Sequence, residues 1–335
     1  MLLLSEIVIL VFNNKEDMMN LLVTGGCGFI GSNFLEMVLQ SKRKFVSKIV
    51  NLDALTYAGD LNNTKGLEND KKYFFEKVNL CDLSQLLEVF IKHNITHVVH
   101  MAAESHVDNS ILDPNAFIES NIIGTFNLLK VARQLDIKRF HHVSTDEVYG
   151  DLGKTGKFSE SSPYNPHNPY SASKASSDFL VRSYHHTYRL PTTISNCSNN
   201  YGPHQHKEKF IPTVINSILN KKKIPVYGEG INIRDWIYVK DHCEGVWDVL
   251  TGGQLGETYC IGSNCEKRNI DVIEDICNLS NVNSLDLIEY VKDRAGHDYR
   301  YAIDNKKIRE KLGWQPQTSF EDGIKKTIEW YHERH

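Results

Sequence analysis

The sequence lacks the features that mark membrane, secreted and nucleic-acid-binding proteins. None of its apolar runs approaches the roughly 20 residues that a membrane-spanning helix requires. The formal net charge is −4, so there is no basic surplus of the kind that binds nucleic acid. The seven cysteines form no CxxC pair, so no metal site or disulfide framework is predicted, and a reducing, cytoplasmic location is expected. With 41% hydrophobic and 24% charged residues, the 335-residue chain is predicted to be globular.

The first 18 residues differ from the rest of the chain. They lack a basic segment and a small-residue cleavage site, so no signal peptide is predicted. We expect residues 1–18 to be a loosely packed N-terminal extension, with Met18 or Met19 as a working start. An extra edge strand from Ile7 to Phe12 is the alternative.

Strand and helix patterns alternate from residue 20 onwards. Short apolar runs predict buried strands at 21–25, 48–54, 97–103, 139–145 and 191–198. Helical periodicity predicts helices at 32–40, 83–93, 115–135 and 170–188. This alternation predicts an α/β fold with a doubly wound parallel sheet, in which ligands bind at the carboxyl ends of the strands. Short segments and turns after Tyr201 predict a smaller lobe set against the sheet.

A glycine-rich stretch, TGGCGFIGS (24–32), follows the first predicted strand and opens the first predicted helix. It fits the G-x-G-x-x-G pattern, whose glycines permit a tight turn and a close approach of a pyrophosphate to the helix N-terminus. Asp53 ends the second strand, where a carboxylate can bind ribose hydroxyls and would repel a 2′-phosphate. NAD is therefore the predicted cofactor.

Two further patterns carry reactive side chains. Tyr170 and Lys174 form a YxxxK pair on one helical face, where the ammonium would lower the phenol pKa and let Tyr170 accept a hydroxyl proton. In VSTDEVYG (143–150), Thr145 ends an apolar run and the carboxylates Asp146 and Glu147 follow it. Neighbouring strand residues face opposite ways, so both carboxylates reach one ligand only where the backbone turns. The alternative is that one carboxylate merely caps the following turn.

Together these motifs resemble the extended short-chain dehydrogenase/reductase superfamily. Within it, the chain is most similar to the nucleotide-sugar 4,6-dehydratases that act on dTDP-glucose or UDP-glucose. The segments that carry the closer resemblance are AAESHVDNS (102–110), STDEVYG (144–150), NPYSASKASSD (168–178), SNNYGP (198–203), EKFIP (208–212), RDWIYVKDH (234–242) and DRAGHD (293–298). The resemblance covers residues 20–334, and its most specific motif is the Thr-Asp-Glu triplet, because epimerases of the superfamily typically carry a serine pair there.

The resemblance implies a Rossmann domain that binds NAD and a smaller C-terminal lobe that binds the nucleotide sugar. The expected NAD-binding domain is 19–201, with 233–262 returning to it, and the expected lobe comprises 202–232 and 263–335. The implied cofactor-binding residues are Gly25, Gly28, Phe29, Ile30, Gly31, Asp53, Asn79, Leu80, Ala102, Ala103, Tyr170 and Lys174. The implied substrate-binding residues are Ser105, Thr145, Asn199, Lys209, Phe210, Pro225, Tyr227, Arg234, Asn269, Arg294 and His297.

The resemblance also implies a reaction, that of a hydro-lyase. Tyr170, helped by Thr145 and Lys174, would take the proton of the 4-hydroxyl while NAD takes hydride from carbon 4. Glu147 would remove the carbon-5 proton and Asp146 would protonate the departing 6-hydroxyl, which requires that their pKa values differ. Hydride then returns to carbon 6, which yields a 4-keto-6-deoxy sugar of the kind used in rhamnose-type deoxysugar biosynthesis.

Several alternatives stay open at this stage. For Arg234 the alternative to a diphosphate clamp is a surface stacking pair with Trp236, and for His297 it is an ordinary loop histidine. Asn109 and His204 depart from the bacterial dTDP-glucose pattern, which leaves UDP or dTDP, and glucose or N-acetylglucosamine, undecided. The competing functions are a UDP-sugar 4-epimerase or decarboxylase and a catalytically silent NAD-binding regulator, and a dehydratase that also inverts carbon 5 is a variant of the leading hypothesis. A homodimer formed through helices 115–135 and 170–188 is implied, although their apolar faces would also suit the monomer core.

Overall fold

The computed structural model describes residues 18–293 and 296–334. Its strands are β1 (Met19–Thr24), β2 (Val46–Asp53), β3 (Tyr73–Lys77), β4 (His97–His100), β5 (Arg139–Thr145), β6 (Thr192–Cys197), β7 (Asn199–Tyr201), β8 (Ile224–Tyr227), β9 (Ile233–Tyr238), β10 (Thr258–Ile261), β11 (Glu266–Arg268) and β12 (Ile288–Val291). Its α-helices are α1 (Phe29–Ser41), α2 (Leu83–His93), α3 (Val107–Leu112), α4 (Asn115–Phe117), α5 (Gly124–Gln134), α6 (Pro169–Tyr188), α7 (Phe210–Leu219), α8 (Val239–Gly252), α9 (Asn269–Leu279), α10 (Lys306–Leu312) and α11 (Phe320–His332).

A seven-stranded parallel sheet forms the centre of the fold. Its strand order is β3-β2-β1-β4-β5-β6-β10, which confirms the predicted doubly wound arrangement. The strands are almost continuously apolar or buried because helices cover both faces. The order reverses between β1 and β4, and in such sheets the crevice at the carboxyl ends beside this reversal receives the ligand.

Two apolar cores hold the helices against the sheet. On one face α1 and α8 pack over side chains such as Leu21 and Ile49, and on the other α2, α5 and α6 pack over side chains such as Leu22 and Val50. The side chains of successive strand residues thus pack into opposite cores, as the two-residue period of a strand requires.

The predicted helix 115–135 is not a regular α-helix. Between α4 and α5 the residues Ile118–Ile123 form a π-helical turn. Wide turns of this kind free a backbone carbonyl from the regular ladder and are frequent at functional sites. Here the carbonyl of Asn121 accepts hydrogen bonds from the hydroxyls of Thr125, at 2.6 Å, and Ser177 on α6, at 2.5 Å.

The second half of the chain builds a smaller unit beside the sheet. It contains a three-stranded sheet, β11-β9-β7, and a two-stranded sheet, β12-β8. The helices α7, α9 and α11 pack with these strands around a separate core that includes Ile211, Trp236 and Ile273. After β9 the chain returns to the large sheet through α8 and β10. The domain boundaries given above stay a prediction, and the expected extension lies, except for Met18, outside the described residues.

No helix within 18–293 or 296–334 is long and apolar enough to cross a membrane.

Candidate functional site

The carboxyl ends of the sheet strands line a deep cavity that continues into a second, outer one. All twelve cofactor-binding residues predicted from the sequence line the inner cavity. The outer cavity lies between this edge of the sheet and the smaller unit. Ser105, Glu147, Asn199 and Lys209 line both, so the two cavities meet at these residues. A two-part ligand site with Glu147 at its junction follows from this arrangement.

The glycine loop fits a ligand that approaches the backbone closely. Gly25 has φ +72°, and a Cβ atom there would lie 2.7 Å from the Ala102 Cα. A Cβ atom on Gly31 would lie 2.2 Å from the carbonyl oxygen of Gly25. Only glycine therefore allows the turn and the contact between helix α1 and the loop, and the N-terminus of α1 faces the inner cavity as a pyrophosphate site requires.

Asp53 supports the glycine loop in a way that the sequence pattern did not predict. Its Oδ2 accepts a hydrogen bond from the Cys27 N–H at 2.9 Å, and its Oδ1 accepts one from the Leu55 N–H at 2.8 Å. Burial raises the pKa of Asp53, and these two hydrogen bonds oppose the rise. Each carboxylate oxygen still has a lone pair for a ribose hydroxyl.

The turn after β5 presents both carboxylates of the Thr-Asp-Glu triplet to the cavity. Strand β5 ends at Thr145, and a 3₁₀ turn begins at Asp146. The turn is capped by Thr145, whose Oγ1 accepts a hydrogen bond from the Glu147 N–H at 3.3 Å. Since Thr145 is the cap, neither carboxylate has the merely structural capping role considered above, and both line the inner cavity.

The two carboxyl groups have different electrostatic surroundings. Burial, followed by the nearby charges of Glu147 and Asp235, raises the pKa of Asp146 well above its ordinary value. Burial also raises the pKa of Glu147, but the cations Arg234 and Lys209 oppose that rise. Asp146 therefore favours the protonated form and Glu147 is the one more readily ionised. This is the assignment of acid and base that an elimination requires.

Tyr170 and Lys174 lie on helix α6, which the sequence starts with a strong N-terminal signal. Asn168 and Ser171 form a reciprocal capping box, and Pro169 occupies the first turn. Burial and the charge of Glu147 raise the pKa of the Tyr170 phenol well above its ordinary value, opposite to the lowering predicted from Lys174. The Lys174 ammonium donates to the Val143 carbonyl at 2.9 Å.

A buried pair beneath Lys174 was missed from the sequence. The Nε2 atom of His142 lies 3.5 Å from the Lys174 Nζ and 3.3 Å from the Asp178 Oδ1. The other oxygen of Asp178 accepts hydrogen bonds from the hydroxyls of Ser144 and Tyr164. The available signal was spacing, because Asp178 follows Lys174 by four residues and shares its helical face.

Most of the predicted substrate-binding residues line the outer cavity. Those that line it are Ser105, Asn199, Lys209, Phe210, Pro225, Tyr227, Arg234, Asn269 and His297. Thr145 lines the inner cavity instead, and Arg294 lies outside the described residues.

Arg234 is buried and held by backbone carbonyls. It donates from Nη1 to the Ile233 carbonyl at 2.8 Å and from Nη2 to the Asp298 carbonyl at 3.0 Å, and its guanidinium lies 4.4 Å from the centre of the Tyr301 ring. The stacking partner of Trp236 is the ring of Phe210. A fixed guanidinium in a pocket suits a diphosphate.

His297 and Tyr227 face each other at the rim of the outer cavity. Their ring centres are 6.3 Å apart with an edge-on geometry, and His297 Nδ1 lies 2.7 Å from an oxygen of Asp293. His297 is thus oriented by two neighbours and lines the cavity.

Comparison with known proteins places this geometry in a family. The model described as GDP-mannose 4,6 dehydratase matches residues 22–327. The chain belongs to this family. Among its relatives, the dTDP-glucose 4,6-dehydratase of Neisseria meningitidis is 49% identical over 334 residues, which cover 94% of this chain and 93% of that protein. The dTDP-glucose 4,6-dehydratase 1 of Escherichia coli K12 is 48% identical, with 93% and 92% covered.

Solved structures agree with the family's fold. DesIV of Streptomyces venezuelae, a dTDP-glucose 4,6-dehydratase crystallised with NAD and TYD, has a TM-score of 0.91 at 42% identity and covers 93% of this chain and 97% of its own. The dTDP-glucose 4,6-dehydratase of Bacillus anthracis in complex with NAD has a TM-score of 0.88 at 44% identity, with 94% and 97% covered. The extended short-chain dehydrogenase/reductase fold predicted for this member of the family is thereby confirmed.

Proposed function

We propose that the chain is an NAD-dependent dTDP-glucose 4,6-dehydratase, which converts its substrate to the 4-keto-6-deoxy sugar with loss of water. The observation that carries the proposal is the pair Asp146 and Glu147. Both follow β5, both line the cavity beside Tyr170, and their surroundings favour one protonated and one ionised carboxyl group. A sugar oxidation alone needs neither carboxyl group, whereas an elimination needs both.

Two features of the inner cavity suit NAD. Gly25 and Gly31 allow its pyrophosphate to approach the backbone closely, and the carboxylate of Asp53 lies at the end of β2, where it can bind a ribose. When bound, it supplies the acceptor and donor of hydride. Lys174 and Tyr170 would hold its nicotinamide ribose, and Asp53 its adenosine ribose. Two solved relatives, those of Streptomyces venezuelae and Bacillus anthracis, carry NAD, which supports this choice.

The residues of this chain then act on the sugar in turn. Tyr170 takes the proton of the 4-hydroxyl as the phenolate, and Thr145 orients that hydroxyl. Burial and Glu147 disfavour the phenolate, whereas the ammonium of Lys174 and the positive charge of bound NAD would favour it. The resulting ketone acidifies carbon 5, and Glu147 removes its proton while Asp146 protonates the 6-hydroxyl as it leaves. Glu147 returns its proton to carbon 5 when hydride reaches carbon 6. Arg234 and Lys209 hold the diphosphate, and their charges also keep Glu147 ionisable.

The nucleotide is proposed from the relatives, since the curated relatives described above are named for dTDP-glucose. The test is incubation of the purified protein with dTDP-glucose, UDP-glucose and UDP-N-acetylglucosamine, each followed by mass spectrometry. Loss of one water from dTDP-glucose at the highest kcat/KM is expected. Faster loss from a UDP sugar would change the substrate, and loss from none of the three would refute the dehydratase.

A 4-epimerase is the alternative that shares the same oxidation. A Thermus thermophilus UDP-glucose 4-epimerase has a TM-score of 0.85 but only 27% identity. In an epimerase the carboxyl groups of Asp146 and Glu147 would have no part in the chemistry. Full turnover by a Glu147→Gln variant would therefore favour the epimerase. A dehydratase that also inverts carbon 5 is a separate alternative, which NMR of the product would detect.

We also propose that the protein is a cytoplasmic homodimer that supplies a rhamnose-type pathway. Large apolar side chains on the π turn, α5 and α6 support the dimer, because Ile118, Ile123, Phe126 and Phe179 are 46%, 44%, 40% and 56% exposed. A row of such side chains on neighbouring helices is typical of a buried interface. Sedimentation of the purified protein would test the assembly.

A further inference from the structure

The ammonium of Lys174 lies in the protein interior, where a charge requires compensation. The side chain is 4% exposed, donates to the Val143 carbonyl at 2.9 Å, and lies 3.5 Å from the Nε2 atom of His142. Both contacts are with neutral groups, since burial lowers the pKa of His142 to about 4. Burial lowers the pKa of Lys174 as well, so the neutral amine is favoured unless an anion lies nearby.

Asp178 is an anion one helical turn further along α6, and it is fully buried. Its Oδ2 accepts hydrogen bonds from the hydroxyls of Ser144 and Tyr164, at 3.0 and 2.7 Å, and from the amide of Asn196, at 3.3 Å. The nearest cation beyond this network is Arg182, which donates to the Tyr164 hydroxyl at 2.8 Å. Burial alone would raise the pKa of Asp178, but the neighbouring imidazole and ammonium and the Tyr164 hydrogen bond hold it below its ordinary value. Asp178 is therefore ionised at neutral pH.

The other titratable groups near Lys174 do not supply a negative charge. In the described part of the chain, the groups whose charges favour a protonated Lys174 are Asp178 and Cys197. Burial raises the pKa of Cys197 to about 12, so its thiol is neutral at neutral pH. His100 on β4, whose ring centre lies 5.1 Å from that of His142, is also neutral because burial lowers its pKa. Compensation of the ammonium is thus left to Asp178.

Tyr170 depends on the charge of Lys174 because its own surroundings oppose the phenolate. Burial, followed by the charges of Glu147, Cys197 and Asp146, raises the pKa of the phenol well above its ordinary value. Lys174 lies one turn from Tyr170 on the same helical face, where an ammonium opposes that rise. A neutral amine there would leave the phenol protonated, and a protonated phenol cannot act as a base.

We propose that Asp178 is a positioning residue for the oxidation step, whose negative charge keeps Lys174 protonated and thereby lets Tyr170 take the proton of the 4-hydroxyl. The inference rests on the proposed dehydratase function, of which this oxidation is the first step. Asp178 lines neither cavity, so it acts through Lys174 and not on the sugar. No bond to Asp178 forms or breaks during turnover.

The experiment isolates the oxidation in a Glu147→Gln background, in which the reaction stops before elimination. The absorbance of reduced nicotinamide after mixing with dTDP-glucose measures hydride transfer in a single turnover at each pH. Addition of Asp178→Asn should move the acidic limb of this rate to higher pH. The rate should then be at least about tenfold lower at neutral pH and should recover as the pH rises, because a base whose pKa rises by one unit loses a factor of ten on its acidic limb.

The matched control is Tyr164→Phe in the same background, which removes a hydrogen bond to Asp178 but keeps its charge. The acidic limb should stay in place in this variant, and a shift equal to that of Asp178→Asn would overturn the proposal. A limb that does not move in Asp178→Asn, or a uniform loss of rate at every pH, would also overturn it. A move to lower pH would show that Lys174 keeps its proton without Asp178.

A second measurement needs neither substrate nor cofactor. NMR of protein carrying lysine labelled at Cε, with the Lys174 signal assigned by Lys174→Gln, reports the protonation of that side chain directly. The signal should change to that of an amine at a lower pH in Asp178→Asn than in the parent, and equal titration in both would overturn the proposal.

If Asp178→Asn does not fold, as judged by circular dichroism, Lys174→Gln is compared with Lys174→Gln/Asp178→Asn, which removes both buried charges. The second substitution should then cause no further move of the acidic limb to higher pH, and such a move would show that Asp178 does not act through Lys174. Failure of the dehydratase function is a separate result, since the parent would then release no water from any nucleotide sugar.

Discussion

His142 and Asp178 form a pair in which His142 Nε2 lies 3.3 Å from Asp178 Oδ1 and neither side chain is exposed to solvent. Burial lowers the pKa of His142 to about 4, so the imidazole is neutral at neutral pH. Burial alone would raise the pKa of Asp178, but the adjacent imidazole of His142 and the charge of Lys174 hold it below its ordinary value. Asp178 is thus the buried counter-charge of Lys174, and His142 lies between the two.

Asp178→Asn should destabilise the protein and disturb Lys174, because it removes the anion that compensates a buried ammonium. Loss of one partner of a buried ion pair costs about 3 to 5 kcal/mol, so the free energy of unfolding should fall by that order. The pKa of Asp178 is lowered on folding, so its contribution is present above the unfolded-state pKa and is lost as the pH falls through the folded-state value. Urea unfolding at neutral and acidic pH would measure this.

The matched control for Asp178→Asn is Glu310→Gln, which removes an exposed carboxylate 3.9 Å from Lys306 on α10. Such surface pairs contribute about 0 to 1 kcal/mol. An equal effect of the two substitutions would contradict the role given to Asp178.

The rate of dehydration should depend on pH as a bell-shaped curve. Glu147 must be ionised to act as the base, and its pKa is raised, so kcat should fall at a higher pH on the acidic side than for an ordinary glutamate. Asp146 must be protonated to act as the acid, and its pKa is raised well above the ordinary value, so kcat should fall on the alkaline side only as Asp146 ionises. A pH series of kcat with dTDP-glucose would test both limbs, and a rate that rises steadily with pH would exclude Asp146 as the acid.

Asp146→Asn and Glu147→Gln should block the reaction at different steps. Both should lower dehydration by about 10²- to 10⁴-fold. Because Glu147 alone removes the carbon-5 proton, Asp146→Asn should still exchange that position with deuterium in D₂O, whereas Glu147→Gln should not. Mass spectrometry of recovered sugar measures the exchange. Glu88→Gln, exposed on α2, serves as the control, and equal exchange in both variants would contradict the assignment.

Asp146→Asn should also stabilise the fold at alkaline pH. The pKa of Asp146 is raised on folding, so its stabilising contribution is complete below the unfolded-state pKa and is lost as the pH rises through the folded-state value. The amide carries no charge and avoids that loss. Thermal unfolding of variant and parent should therefore diverge as the pH rises, and parallel curves across the pH range would argue against a raised pKa.

Gly31→Ala should weaken binding of the nicotinamide cofactor in the inner cavity. The new methyl group would lie 2.2 Å from the Gly25 carbonyl oxygen, so the glycine loop must move, at a cost of about 1 to 3 kcal/mol. Bound nicotinamide in the purified protein should fall sharply, as measured by release on denaturation. Gly252→Ala is the control, since the nearest atom to its methyl group would be the terminal Cδ2 of the flexible Leu312 side chain, at 3.3 Å. Undiminished cofactor in Gly31→Ala would refute the loop assignment.

Phe179→Arg should weaken the proposed dimer. Phe179 is 56% exposed on α6, and a charge there would have to be desolvated in an apolar interface. Sedimentation velocity should show a dimer for the parent and monomers for the variant at the same concentration. Leu285→Arg replaces a side chain that is 81% exposed in a 3₁₀ turn of the smaller unit and should leave the assembly unchanged. A monomeric parent would refute the dimer directly.

The sequence predicts the sheet well because its strands and helices have strong periodic patterns. The bounds of β5 and α2 are those predicted, and α6 differs by one residue at its start. Strand β3 is not among the strands predicted above, since it lies at the edge of the sheet, where Phe74 is 38% exposed and alternation is weak.

Those parts of the candidate site that consist of residues close together in the sequence could be predicted. Contacts between residues far apart in the chain could not. The spacing of Tyr170 and Lys174, and the adjacency of Asp146 and Glu147, are local. The carbonyl partners of Arg234 include Asp298, which lies 64 residues away in the chain. The direction of the Tyr170 pKa was also missed, because burial is a property of the folded molecule.

The π turn brings the side chain and the carbonyl of Asn121 into contact with helix α6. The side chain of Asn121 joins the backbone of Glu104 to the hydroxyl of Ser173, and its carbonyl joins Thr125 to Ser177. These bonds tie the helix that bears exposed apolar residues to the helix that bears Tyr170. Asn121 therefore connects the segment that would form part of the proposed dimer interface to the helix that positions Tyr170.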